Sequence, residues 1–284
     1  MTLPPYLRDP RTIVGLVIVL AVFLTAVFAP LLAPHDPDTQ DLLWVLLPPS
    51  WQPGGDPNFP LGTDSLGRDV LSRLIYSARV AMTVAIVSAV GAMILGTIAA
   101  LLAGYFGGWV DTLISRTVDV WISFPPVVLS LILIVGLGVG LDKVILAIIL
   151  VDWTRFCRVL RAEVILVRQQ AYVSAARMLG QSHFITLSRE VLPAVVPLII
   201  TLFSLEMGIA VTVEAILSFV GMGVSANIPA WGQMIADARM NIYDSPWGLF
   251  LPIAAVFVTV AGFNLLGEGL RKGLDARQNT SRGV

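Results

Sequence analysis

Only a few residues in this chain have side chains suited to chemistry. Glu206 and Glu214 lie inside an apolar run from Ala194 to Val220. A spacing of eight brings both close to one helical face. A charged group at mid-bilayer costs at least about 2.5–3.5 kcal/mol on insertion scales, so that face should look at a cavity or a partner. Glu214, seven residues before Gly221, also suits an interfacial position. Asp152 and Arg155, three apart, suit a pair across one helical turn. The lone cysteine, Cys157, sits among Arg155, Arg158 and Arg161, a cationic setting of the kind that activates a thiol. No partner base is in view for it, because His35 and His183, the only histidines, fall outside the apolar runs. An intramembrane hydrolase, which needs a nucleophile beside a base, therefore lacks its second member. His35 with Asp36 and Asp38 offers too few ligands for a closed metal site, and none is assigned. The only lysines, Lys143 and Lys272, do not follow glycine, so the chain has no standard Gly-Lys-Ser/Thr loop to cradle phosphates.

The elements that must position these residues are membrane spans. Hydrophobic residues make up 56% of the 284 and charged residues 13%, against roughly 45–50% and about 25% in soluble domains. A soluble globular protein is excluded, and so is a disordered chain, since net charge is only −1. Apolar runs long enough to cross a bilayer cover Ile13–Ala33, Val80–Gly104, about Thr117–Leu141, a stretch from Val144 that carries Asp152 and Arg155 toward its end, Ala194–Val220 and Trp247–Leu270. The first is too long for the core of a cleaved signal peptide. The expected fold is all-α, a polytopic membrane protein of six transmembrane helices.

Six spans put both termini on one side. Thirteen basic residues flank that side, from Arg8 and Arg11 through Arg116 and the Arg155–Arg189 stretch to Arg271, Lys272, Arg277 and Arg282; five flank the other, Arg68, Arg73, Arg79, Lys143 and Arg239. The positive-inside rule places the termini and the Val159–Leu192 loop in the cytoplasm. Two units are expected: residues 1–79, a first helix with an external loop, and residues 80–284, a five-helix core with a cytoplasmic loop at about 159–193.

Ala92, Gly96, Ala100, Gly104 and Gly108 recur every four residues, a stripe that lets helices approach closely. Packing inside the bundle is the simpler reading, a subunit interface or sliding surface the sharper one. Pro125 and Pro126 interrupt the third span, as a static kink or as a hinge lining a pathway. In the cytoplasmic loop Tyr172–Leu179 reads as a short amphipathic helix, and Ser182 as the N-cap of a second through Phe184, Ile185 and Leu187. Two short helices around Gly180 read as a docking knob for a partner, with a solvated loop or a membrane-surface helix as the alternatives. Outside, the Ala33–Arg79 loop and the Ser225–Asp244 segment are candidate contacts for a partner. In the latter, Asn227, Pro229, Trp231 and Gly232 read as a re-entrant turn with an interfacial tryptophan, or as a plain ordered loop.

Ser174-Ala175-Ala176, then Gly180, then Leu192-Pro193 resembles the EAA loop of ABC importer permeases in spacing. Ser174 stands in the place of glutamate and Glu190 in that of isoleucine. Leu61-Gly62-Thr63-Asp64-Ser65-Leu66-Gly67-Arg68-Asp69 and onward to Ile75, the stretch Glu214–Gly223, and Phe263–Arg271 through Leu274-Asp275 resemble the dipeptide/oligopeptide/nickel group, and within it the C-type permease subunit. The resemblance spans nearly the whole chain. It implies a type I ABC importer-like permease in the cytoplasmic (inner) membrane, working with a second homologous permease, two ATP-binding subunits that hold ATP and Mg, and an extracytoplasmic solute-binding protein, with no cofactor, catalytic residue or nucleic acid of its own. Ser174, Ala175, Ala176, Arg177, Gly180, Leu192 and Pro193 would then dock the ATPase. Pro125, Pro126, Glu206 and Glu214 are the pathway or gating candidates. Short peptides are the ligand the resemblance favours, nickel or a nickel chelate the alternative. An ion-coupled secondary transporter is the more distant rival, with Glu206 as its strongest ion-binding candidate.

Overall fold

The computed structural model describes residues 9–225 and 227–282, with side chains described as far as residue 273. Arg8 lies outside the described residues; the helix is described at Leu274, Asp275, Arg277 and Arg282, whose side chains are not. Eleven α-helices follow one another among the described residues: α1 (Pro10–Val27), α2 (Ala29–Leu32), α3 (Val70–Phe106), α4 (Gly108–Ile122), α5 (Pro126–Leu137), α6 (Leu141–Arg168), α7 (Ala171–Met178), α8 (His183–Thr186), α9 (Leu192–Phe219), α10 (Trp231–Ala238) and α11 (Pro246–Arg282).

Among the described residues, four helical stretches are long and apolar enough to cross a membrane: Pro10–Val27, Val70–Phe106, His183–Phe219 and Pro246–Gly273. The pair α4 and α5 passes the same test together, bent by 90°. Helix α6 is too charged to qualify by hydropathy, since it holds Asp152, Arg155, Arg158 and Arg161 along one side. Its direction identifies it as the sixth crossing. Cβ atoms built on Gly91, Gly96 and Gly104 of α3 would meet Ile149, Phe156 and Val164 of α6 in turn, so the two helices run parallel. Parallel neighbours require one return crossing between them, and α4–α5 supplies it.

The small-residue stripe belongs to this seam. Ala92 and Ala100 are fully buried. At Gly96 a methyl group would come within 2.3 Å of Phe156 Cβ and 2.6 Å of the Trp153 carbonyl. The stripe is therefore packing within the chain. It ends before Gly108, where a Cβ would meet nothing and the backbone turns with φ +56° to begin α4. A second tight seam joins α1 to α11 in the antiparallel sense: Gly15 lies against Leu266, Gly262 against Ile18 and Gly269 against Thr12. The outer faces of α1 and α11 stay apolar and exposed, including Val17, Phe23, Phe250 and Phe257, as helices facing lipid should.

Three expectations are corrected. The third span is broken, not kinked: α4 stops at Ile122 and α5 starts at Pro126, because Pro125 and Pro126 remove two consecutive backbone donors. The second cytoplasmic helix is not short. From α8 the chain continues through a wide π-type turn, Leu187–Val191, straight into α9. That turn accommodates Pro193 without a break. Outside, residues 231–238 form α10 rather than a re-entrant turn. Trp231 is not interfacial but 4% exposed, its indole N–H donating to the Leu74 carbonyl at 3.0 Å.

Candidate functional site

The break in the third span opens a cleft of about 250 Å³ lined by Trp121, Phe124 and Pro126 on one wall and Asp152, Thr154, Arg155 and Arg158 of α6 on the other. Helix α4 runs antiparallel along the inner half of α6. Arg161 donates two hydrogen bonds to Asp111, each of 2.5 Å. Arg158 donates one to Asp119 at 3.0 Å. Trp121 Nε1 donates to the Leu150 carbonyl at 2.5 Å. Helix α5 then turns away to pack Ile134 with Val144 and Ile148, near the outer end of α6.

Behind the cleft lies the buried acid pair. Glu206 on α9 is 2% exposed and Asp152 3%. Arg155 reaches both, at 3.7 Å to Glu206 Oε2 and 3.8 Å to Asp152 Oδ1. The expected pair across one turn of α6 is thus a three-residue cluster joining α6 to α9. Neither contact has hydrogen-bond length. Arg155 Nη1 and Glu206 Oε1 are buried without a hydrogen-bond partner. Sequence reasoning brought Pro125, Pro126 and Glu206 forward separately; Pro126 lines the cleft, and Glu206 is tied to it through Arg155. Glu214 stands apart, two turns toward the outer end of α9. It is 1% exposed, and its Oε1 accepts a hydrogen bond from Ser218 at 2.6 Å. Asp111 and Asp119 were missed, although their spacing of eight on one helix face was the available signal.

Cys157 does not face the arginines. It is 1% exposed in a core with Phe156, Leu160 and Val164, so its thiol is shielded. The three arginines are engaged with acids on α4, α6 and α9 rather than lying in a loop.

At the inner end, α7 turns at Gly180, φ +84°, into α8, which Ser182 caps by accepting from the Ile185 amide at 3.4 Å. Ser174, Ala175, Arg177 and Gly180 are exposed, as is Pro193 at the start of α9, with Leu192 half-buried. Ala176 is different: at 8% exposure it faces inward with Val173. The apolar residues turned outward are Met178, Leu179 and Phe184, 88%, 87% and 79% exposed. His183 Nδ1 lies 3.1 Å from the Tyr105 hydroxyl, linking the base of α8 to the inner end of α3.

At the outer end, the Leu61–Ile75 motif is a polar clasp. Asp64 accepts from the amides of Leu66 and Arg68 and from Arg68 Nε at 2.7 Å. Arg68 also reaches Asp237 of α10 at 3.3 Å. Asp69 caps α3 through Ser72, and Arg73, 1% exposed, donates to the Pro37 carbonyl. His35 belongs to the same clasp: its amide donates to Ser72 Oγ and its ring stacks on Phe59 at 5.0 Å. A pocket of about 540 Å³ between this loop and α10 is lined by Gln40, Ser65, Arg68, Asn227, Asp237 and Asn241. The two external segments singled out from the sequence therefore meet.

A bundle with a broken span, buried acids and a protruding inner loop defines a membrane transport component, and residues 92–280 match the family described as binding-protein-dependent transport system inner membrane component. The chain belongs to that family. Residues 6–49 match the N-terminal TM domain of oligopeptide transport permease C. Among its relatives are the dipeptide transport system permease protein DppC of Alkalihalophilus pseudofirmus, 35% identical over 96% of this chain and 88% of the relative, and the oligopeptide transport system permease protein OppC of Bacillus subtilis, 33% identical over 93% and 85%. The glutathione transport system permease protein GsiD of Pectobacterium atrosepticum is 37% identical over 76% and 72%. The chain is thus a multi-pass inner-membrane permease component and not itself an enzyme.

Proposed function

We propose that this chain is one of the two membrane-spanning halves of an ATP-driven importer for short peptides. An external binding protein delivers the peptide to the face formed by the Leu61–Ile75 clasp and α10. Two ATPase chains hold ATP and Mg; this chain binds neither. Its termini and the α7–α8 loop lie in the cytoplasm, and its partner in the pore is a homologous permease. The relatives named for dipeptides, oligopeptides and glutathione support peptides as the ligand class.

The observation that carries the coupling assignment is the exposure of Met178, Leu179 and Phe184 around a left-handed glycine, at the inner end of a helix that also bears Glu206. Large apolar side chains clustered at a turn beyond the membrane need a protein to cover them. Ser174, Ala175, Arg177, Gly180, Leu192 and Pro193 frame that contact, while Ala176 seats α7 on the permease. ATP-driven closure of the partners would tilt the bundle and exchange access between the two sides, with Pro125, Pro126 and Glu206 at the inner station of the pathway and Glu214 at the outer.

Leu179→Asp tests the docking surface directly. The expected result is loss of ATPase subunits from the purified complex and at least a tenfold fall in uptake. Retention of both at wild-type levels overturns the assignment. Ala176→Trp is the weaker experiment, because that side chain faces inward.

A further inference from the structure

We propose that the cleft at the broken third span is a carboxylate-binding station for the solute in transit, headed by Arg155, and that it receives the free carboxyl terminus of a peptide. This rests on the reading of the chain as a peptide permease and adds which end of the peptide is recognised, and by what.

Three arginines project from α6 at intervals of three, and they are not used alike. Arg161 is held by two short hydrogen bonds to Asp111 and Arg158 by one to Asp119. Arg155 has only contacts of 3.7 and 3.8 Å; its Nη1 is buried toward Glu206, so the donors left for the cleft are on the Nε–Nη2 edge, for which no hydrogen bond is formed among the described residues. Glu206, 97% buried, leaves Oε1 unpartnered beside it. The guanidinium is thus charge-compensated but not saturated, while its side chain is 41% exposed on the wall of the cleft. A planar fork with donors to spare is matched by a carboxylate, which can accept two parallel hydrogen bonds.

The opposite wall is apolar, formed by Trp121, Ile122, Phe124 and Pro126. Arg155 lies fourteen residues into α6 from Leu141, about 21 Å at 1.5 Å per residue, well inside the length of that helix. One carboxylate in a space of about 250 Å³ would meet Arg155 on one wall, with Trp121 and Phe124 flanking the attached chain on the other. Asp152 lines the same wall, but its side chain is 3% exposed against 41% for Arg155, so the charge the cleft offers a solute is the guanidinium.

The test uses the whole complex, reconstituted in liposomes with its binding protein, and two probes: trialanine and trialanine amide. Uptake rates are normalised to the amount of each peptide bound by the binding protein. The wild type is expected to move the acid at least tenfold faster than the amide, and Arg155→Lys, which keeps the charge and loses the fork, is expected to bring that ratio close to one. Equal rates in the wild type, or an unchanged ratio in Arg155→Lys, overturn the proposal while leaving peptide import intact. If the wild type moves neither probe, the peptide reading itself fails and this inference with it. A second measurement covers a variant that does not assemble. Val159→Cys places a thiol on the cleft wall, with the native Cys157 shielded in the core. Maleimide labelling there is expected to slow at least threefold with excess trialanine and not with the amide; equal labelling under both overturns the proposal.

Discussion

The two faces of α6 follow opposite rules. Toward α3 it presents Trp153, Phe156, Cys157, Leu160 and Val164 to a stripe of glycine and alanine, with backbone and side chain in direct contact. Toward α4, α5 and α9 it presents Asp152, Arg155, Arg158 and Arg161 across ion pairs and a cleft. The first face has one close-packed arrangement. The second is held by contacts that run from two hydrogen bonds of 2.5 Å at Arg161 to a loose 3.7 Å at Arg155. The contrast teaches where the bundle is tightly packed and where it is not: α3 and α6 meet with no room between them, and the charged face is held by separate ion pairs around a cleft.

That contrast is most severely tested at Gly96. Gly96→Leu drives a branched side chain into Phe156 and the Trp153 carbonyl, and overpacking against backbone finds little relief. The expected outcome is at least a tenfold loss of assembled protein in the membrane, measured by fluorescence-detected size exclusion; accumulation at wild-type levels would show that the seam has slack. On the charged face the effect should be smaller and partly reversible. Arg155→Leu leaves two buried carboxylates without their cation, costing about 3–5 kcal/mol. Adding Glu206→Leu is expected to recover part of that loss in a thermal-stability double-mutant cycle. Strict additivity would mean that Arg155 and Glu206 do not share one interaction. The smallest effect belongs to the α1–α11 seam, which follows the dry rule. Its Arg11–Glu268 pair, 3.0 Å long but half exposed on each side, only decorates glycine packing, so Glu268→Gln should change stability by no more than about 0.5 kcal/mol.

The dry face was legible in the sequence because its signal is local: a four-residue repeat of small side chains has one helical face and one use in lipid. The spans themselves were legible for the same reason, α6 included, although its charges place it beyond a hydropathy count. The charged face was only half legible. Arg155 was paired with Asp152 one turn away, a contact the fold keeps, but Arg158 and Arg161 were read only as basic flanks because nothing in their own neighbourhood names their partners; Asp111 and Asp119 lie on another helix, brought into register only once the chain breaks at Pro125 and Pro126. Cys157 was drawn toward the arginines by proximity in sequence, yet residues one or two apart on a helix, as Arg158 and Arg155 are from it, do not face each other, and Arg161, one turn on, is taken up by Asp111. Trp231 was assigned to the interface by residue type, whereas close approach of α10 to α9 at Gly232, where a Cβ would lie 2.1 Å from the Ala215 carbonyl, brings it into the core. At the inner loop the glycine and the Ser182 cap were read correctly, but Pro193 was taken as the end of the polar segment, and the wide turn that absorbs it has no simple sequence signature.

That absorbed proline has a mechanical consequence. From His183 to Phe219 the backbone stays helical over 37 residues, about 55 Å end to end. Whatever grips its tip at His183 holds a lever whose far length carries both buried glutamates, and the wide turn at Leu187–Val191 and the interior Pro197 are the two places where that lever can bend before the motion reaches them.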